Sequence, residues 1–256
     1  MKRMIAGPLA LSALALPQAV AAQDYVQIAA GADYSSGDYG EDVDTDFLAI
    51  PVTAKVQSGD FNIRVTIPYL DVTGPADVIP GDGGVRGNNN NAAEISSRSG
   101  LGDVIVAATY SLGMSDSTFF DVTGKVKLPT ASTEKALGTG TTDITLQGEL
   151  LQVFGNVSAA VRGGRRFNGS SDEFALQDVW LAGAGAYAVL GDTTLGLDYD
   201  WRDGSLPTAP NRSEVTGSLT QKLSDALRLQ GYAYTGLADG SPDIGGGAQI
   251  LYRFGQ

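Results

Sequence analysis

Asp198 and Asp200 stand two positions apart in the segment from Leu195 to Arg202. In an extended strand that spacing puts two carboxylates on one face, about 6.5–7 Å apart. A carboxylate pair is the equipment of glycosidic-bond hydrolysis. Arg202, two residues further on the same face, makes the pair part of a salt-bridge row instead. Hydrolases of that type also draw their two carboxylates from separate strands or loops. Asp42, Asp44 and Asp46 have the spacing that opens a calcium loop, but Phe47 stands where the loop needs glycine and Thr53 where it needs a bidentate glutamate. A solvated acidic rim fits those aspartates better. The chain contains no cysteine and no histidine, which removes disulfides, thiolate and imidazole metal ligands and the Ser-His-Asp triad. A non-enzyme with neither metal nor cofactor is expected.

The remaining ionisable residues fall on the polar faces of strands. Twelve amphipathic segments are predicted near 24–34, 44–57, 60–70, 101–112, 117–128, 141–153, 156–167, 174–190, 193–202, 212–223, 226–236 and 244–254. Phe61, Ile63, Val65, Ile67 and Tyr69 share one face, with Asn62, Arg64 and Thr66 on the other. Val122, Val126 and Leu128 oppose Asp121, Lys125 and Lys127, and Ile144, Leu146 and Leu150 oppose Asp143 and Glu149. Leu195, Leu197, Tyr199 and Trp201 oppose Asp198, Asp200 and Arg202, while Ile250, Tyr252 and Phe254 oppose Gln249 and Arg253.

Connections alternate between tight turns (58–60, 113–116, 154–156, 190–192, 223–225) and longer loops (35–43, 71–100, 129–140, 168–173, 203–211, 237–243). That rhythm predicts an all-β, antiparallel up-and-down transmembrane β-barrel of about twelve strands, with apolar faces toward lipid and polar faces toward the lumen. A soluble sandwich alternates equally well, but it would bury charges on successive strands at several kcal/mol each, roughly, unless paired. Pro51 and Pro68 interrupt this pattern. Folding about Ser58-Gly59 sets position 51 against about 66 and 68 against about 49, which predicts a local bulge.

The N-terminus reads as a secretory signal over 1–22: Lys2 and Arg3, an apolar run from Met4 to Leu16, and the small residues of Ala19-Val20-Ala21. The barrel domain is then 23–256. No later run reaches the roughly 18 apolar residues of a transmembrane helix. Formal charge is −12 overall, and −14 once Lys2 and Arg3 are removed, so nucleic acid is excluded as a partner. With an even strand count both termini face the periplasm, and the closing Phe254 is the type of residue by which the barrel-insertion machinery recognises a C-terminal strand. Outer-membrane lipid and lipopolysaccharide are the expected surroundings.

Three motifs cluster in mid-chain: Ser99-Gly100-Leu101-Gly102-Asp103-Val104, Gly124-Lys125-Val126-Lys127-Leu128-Pro129-Thr130, and Gly138-Thr139-Gly140-Thr141-Thr142-Asp143. Their succession over 99–150 resembles the outer-membrane transporter family associated with the meta-cleavage pathway of phenol degradation. The resemblance implies a small outer-membrane barrel, transport activity, and aromatic or other hydrophobic cargo. The residues alone say less: Lys125 and Lys127 are expected to form cross-strand pairs with Asp143 and Glu149 on the lumen wall.

The predicted lumen residues are Lys55, Arg64, Asp103, Asp121, Lys125, Lys127, Asp143, Glu149, Arg162, Arg166, Asp178, Asp198, Asp200, Lys222, Arg228 and Arg253, nine basic against seven acidic. A pore lined by both signs would pass small solutes by passive diffusion. The alternative is a barrel closed by its own side chains, with a structural or surface-interaction role. The 71–100 connection, with Asn88 to Asn91 in a row, has the composition of mobile external chain; an inward-folded constriction is its other reading.

Overall fold

The computed structural model describes residues 24–39, 43–75, 78–79, 95–171, 175–207 and 209–255. The expected signal segment, Asp42, and 80–94 of the long connection lie outside them. Among the described residues all regular elements are strands: β1 (Tyr25–Gly37), β2 (Thr45–Ser58), β3 (Phe61–Pro75), β4 (Ile95–Leu101), β5 (Val104–Gly113), β6 (Thr118–Leu128), β7 (Asp143–Phe154), β8 (Val157–Phe167), β9 (Val179–Leu190), β10 (Thr193–Arg202), β11 (Arg212–Lys222), β12 (Leu227–Gly236) and β13 (Ile244–Phe254). Sequential strands pair antiparallel, except that β4 and β5 both pair with β3, and β1 pairs with β13 from Val26–Phe254 to Ser36–Ile244. The wall therefore closes as a twelve-stranded cylinder, in which β4 alone pairs on one side only, with β3.

The thirteenth strand was hidden in the long connection. β5 pairs with β3 over Phe61–Thr66, and β4 takes over from Tyr69 to Pro75. The two prolines explain this division. Pro51 and Pro68 face each other directly across the β2–β3 ladder, two residues from the expected register, because the hairpin turns on Gly59-Asp60 with Gly59 at φ 52°. Neither proline has an N–H, so each leaves a gap toward its other neighbour. The β1–β2 pairing skips from Ala30–Val52 to Asp33–Ala49. On the other side, the partner of β3 breaks at Gly102-Asp103, where Gly102 N donates to Pro68 O at 2.8 Å. The β1–β2 ladder resumes in the same register, whereas Gly102-Asp103-Val104 oppose only Ile67 and Pro68, the one-residue excess of the predicted bulge.

Tight turns and both strand termini gather at one end of the cylinder, here the hairpin end, and long connections gather at the other, the loop end. Burial alternates along the strands with period two. Outward positions are apolar: Ile63, Leu146, Leu197 and Ile250 are 43%, 55%, 58% and 55% exposed. A continuous exposed apolar belt of this extent is unstable in water and stable in lipid. Aromatic side chains border the belt at both ends. Phe61, Tyr110, Phe154, Tyr252 and Phe254 lie toward the hairpin end, and Tyr34, Phe167, Trp180, Tyr199 and Trp201 toward the loop end, the arrangement that two membrane interfaces select.

Candidate functional site: the inner wall

Arg162 organises one side of the lumen. From β8 it reaches across β9 to β10, donating to Asp200 through Nε (2.9 Å) and Nη2 (2.7 Å) and to Asp198 through Nη1 (3.1 Å). Glu149, directly opposite on β7, adds an ion pair at 3.7 Å. Tyr187 donates to Asp198 at 2.6 Å. The span is open because β9 carries Gly183 there; a Cβ at Gly183 would lie 2.6 Å from Arg162 Nε and 2.8 Å from Asp200 Oδ1. The two aspartates are therefore a guanidinium clamp, not an acid–base pair, and their partner is Arg162 of another strand.

Lys127 organises the loop end. Its Nζ lies 3.3 Å from Asp103 and 2.9 Å from Asp143 and donates to Thr139 at 3.1 Å. Asp103 accepts from Ala131 N, and Asp143 accepts from Gly169 N. Thr130 bonds both Val104 N and Gly102 O, closing over the break in the wall. The three mid-chain motifs thus meet at one ammonium group, which pins the β6–β7 and β8–β9 connections. The expected pairing of Lys127 with Asp143 is present, whereas Glu149 faces Asp121 and binds Arg162 rather than Lys125.

The hairpin end is basic. Lys55 Nζ donates to Tyr25 Oη at 2.9 Å, and the Arg253 guanidinium lies 4.4 Å from the Tyr25 ring centroid. Arg64 and Arg228 fall within Coulombic reach of the same tyrosine. Lys222 pairs with Asp225 in the turn at 2.6 Å and holds that carboxyl below its ordinary range. Lys125 lies between Arg64, Arg166 and Arg162, and Arg166 donates to Ser205 at the loop end. Asp121 sits near Lys55 and the Ser111 hydroxyl.

Asp178 is a correction. It precedes β9, shares its parity with outward-facing Trp180, and pairs at 3.1 Å with Arg165, whose guanidinium lies over the Phe167 and Trp180 rings. The strand begins at Val179 and not at 174, and the pair belongs to the outer surface.

Sequence reasoning missed several inward groups. Tyr234 on β12 donates to Asp33 on β1, with Gly245 and Gly247 of β13 leaving room for Tyr234 and Tyr232. Arg212 and Glu214 form a buried pair on β11. Period two carried from Arg228 through Gln230 would have placed Tyr232 and Tyr234 inside.

A second omission is an apolar inner surface. Phe47, Ala49, Leu70 and Val72 face inward on β2 and β3 and pack with Tyr39, Val78, Ala131 and Leu137. On β2 both faces are apolar there, and on β3 the pattern inverts, with Leu70 and Val72 inward and Asp71 and Thr73 outward, so an apolar face no longer marks the outside. Tyr39 meets Phe47 edge-to-face at 5.4 Å and donates to Ser35; burial raises its pKa, so the phenol remains a neutral donor. Ile79 packs with Leu176, beside Ala136 and Leu206. Val78 and Ile79, within the connection expected to be mobile, are buried against these groups, while 80–94 lie outside the described residues. Among the described residues no cluster of three or more acidic side chains is placed to hold a metal ion.

No family profile and no curated protein matches the sequence. Solved structures do match in shape. The KdgM porin superposes with a TM-score of 0.56 at 10% identity, covering 90% of this chain and 99% of that one. KdgM in complex with disordered oligogalacturonate gives 0.54 at 12%, with the same coverage. The translocator domain of the autotransporter NalP from Neisseria meningitidis gives 0.50 at 12%, covering 90% and 88%. The fold is that of outer-membrane β-barrels. At 10–12% identity the likeness is one of backbone fold alone.

Proposed function

We propose that the protein is an outer-membrane channel through which small solutes diffuse passively. One observation carries this: Arg64 and Lys125 face the lumen, only partly buried, and neither forms a hydrogen bond or ion pair among the described residues. An uncompensated cation in a dry, packed interior costs several kcal/mol, roughly, while hydration removes most of that penalty. A water-filled interior bounded by a closed wall is a pore. The resemblance of the three mid-chain motifs to transporters of the phenol meta-cleavage pathway supports aromatic cargo. In this reading the signal segment directs export, the hairpin end and both termini lie in the periplasm, lipopolysaccharide surrounds the loop end, and the strand ending at Phe254 engages the insertion machinery.

The test is single-channel recording with the purified mature protein, its folded state confirmed by heat-modifiable migration. Discrete conductance steps are expected. A heat-modifiable barrel without steps, and without solute flux from vesicles, would establish the closed-barrel alternative, in which the apolar contacts among the loop-end connections seal the mouth.

A further inference from the structure

The inward cations are not scattered. Cross-strand register joins Lys55 directly to Arg64, with one neutral residue, Ala107, between Arg64 and Lys125. One more, Thr145, separates Lys125 from Arg166, and Gln27 separates Lys55 from Arg253. Five basic side chains thus occupy a single register row that contains no carboxylate. Register partners lie perpendicular to strands that tilt in a barrel, so the row climbs. It starts at Arg253, next to the last residue of β13 at the hairpin end, and reaches Arg166, next to the last residue of β8 at the loop end.

The inward carboxylates are committed elsewhere. Lys127 holds Asp103 and Asp143, Arg162 holds Glu149, Asp198 and Asp200, and Arg212 holds Glu214. Two acids border the middle of the row: Asp121, beside Lys55, and Asp200, beside Lys125, the latter already bound through both oxygens to Arg162. Lys55, Arg64 and Lys125 enter no ion pair among the described residues.

We propose that this row is a helical anion track, and that the channel's cargo class is small organic anions bearing a carboxylate. The inference rests on the channel reading and narrows it: an aromatic solute passes as the ionised acid, not as the neutral hydrocarbon. Strands lie about 4.8 Å apart, so successive cations along the row stand roughly 5–10 Å from one another, within about one Debye length at physiological salt. An anion leaving one site is already attracted by the next, and binding at each stays weak enough for release. The Arg64 guanidinium matches a carboxylate's two oxygens, and Lys55 and Lys125 on either side of it act as point charges.

The test is the reversal potential of the full mature chain in planar bilayers under a KCl gradient, repeated with potassium benzoate. The expected result is anion selectivity with both salts, reduced several-fold in the Arg64→Gln/Lys125→Gln double variant and unchanged in Arg165→Gln, whose side chain faces outward. Should the double variant lose heat-modifiable migration, the two single variants carry the comparison, each with a partial loss. Steps that are non-selective or cation-selective, or selectivity indifferent to both substitutions, overturn the anion track and leave the channel standing. A folded barrel without steps in either salt overturns both.

Discussion

At Arg162 one guanidinium pairs with three carboxylates drawn from two strands, and a glycine in the strand between makes the reach sterically free. Removing one partner of a buried ion pair costs about 3–5 kcal/mol, and the partly exposed Asp200 and hydrated lumen lower that to about 2 kcal/mol for Arg162→Ala. Gly183→Ala is expected to cost about as much, because the new methyl displaces the same bidentate contact. The two losses should overlap instead of adding, since both remove one interaction. Urea midpoints of wild type, both single variants and the double variant in lipid vesicles check this; additive losses would refute the crossing geometry.

Among the elements, the connections rather than the strands distinguish this barrel. Lys127 ties two connections to the wall through Asp103, Asp143 and Thr139. Lys127→Met is expected to free the 129–142 segment while leaving the barrel folded, so that trypsin cleaves after Lys135 several-fold faster at unchanged heat-modifiable migration. Equal cleavage rates would show that Thr130 and Ala131 hold the segment alone. Much of the strand framework was legible because one face had to be apolar and the other polar: β3, β6, β7 and β10 follow that rule. β4 was not legible, since Ile95–Leu101 is serine-rich and has no apolar face. Its pairing is imposed by the vacancy that Pro68 leaves beside β3. Phe47 was illegible inside because two apolar faces on β2 erase the alternation, and Leu70 because on β3 the apolar side switches from outward to inward beyond Pro68.

For the whole molecule, the distinction between a membrane barrel and a soluble one lies in what a charge costs on each face. Leu197→Arg puts a guanidinium into the outward belt and is expected to cost about 2–4 kcal/mol in lipid. Thr216→Arg, on the inward face directly opposite Asp198, should cost close to nothing. Refolding equilibria in vesicles measure both, and equal costs would contradict the assignment of faces. That assignment came from periodicity alone, while the partners within the lumen did not. Which acid meets which base depends on register and on glycines two strands away, and neither is local in sequence.

The facing prolines have a further consequence for how the wall breathes. β2 and β3 are paired without a gap from Asp46–Thr73 to Ser58–Phe61, yet on both flanks their bonding to the rest of the wall lapses at the same level. The hairpin is thereby a leaf in a closed cylinder whose two seams are interrupted at one shared level. Its flanking amides should exchange with deuterium as a group, ahead of those of β10 and β11, whose ladder runs unbroken from Thr193–Gln221 to Arg202–Arg212.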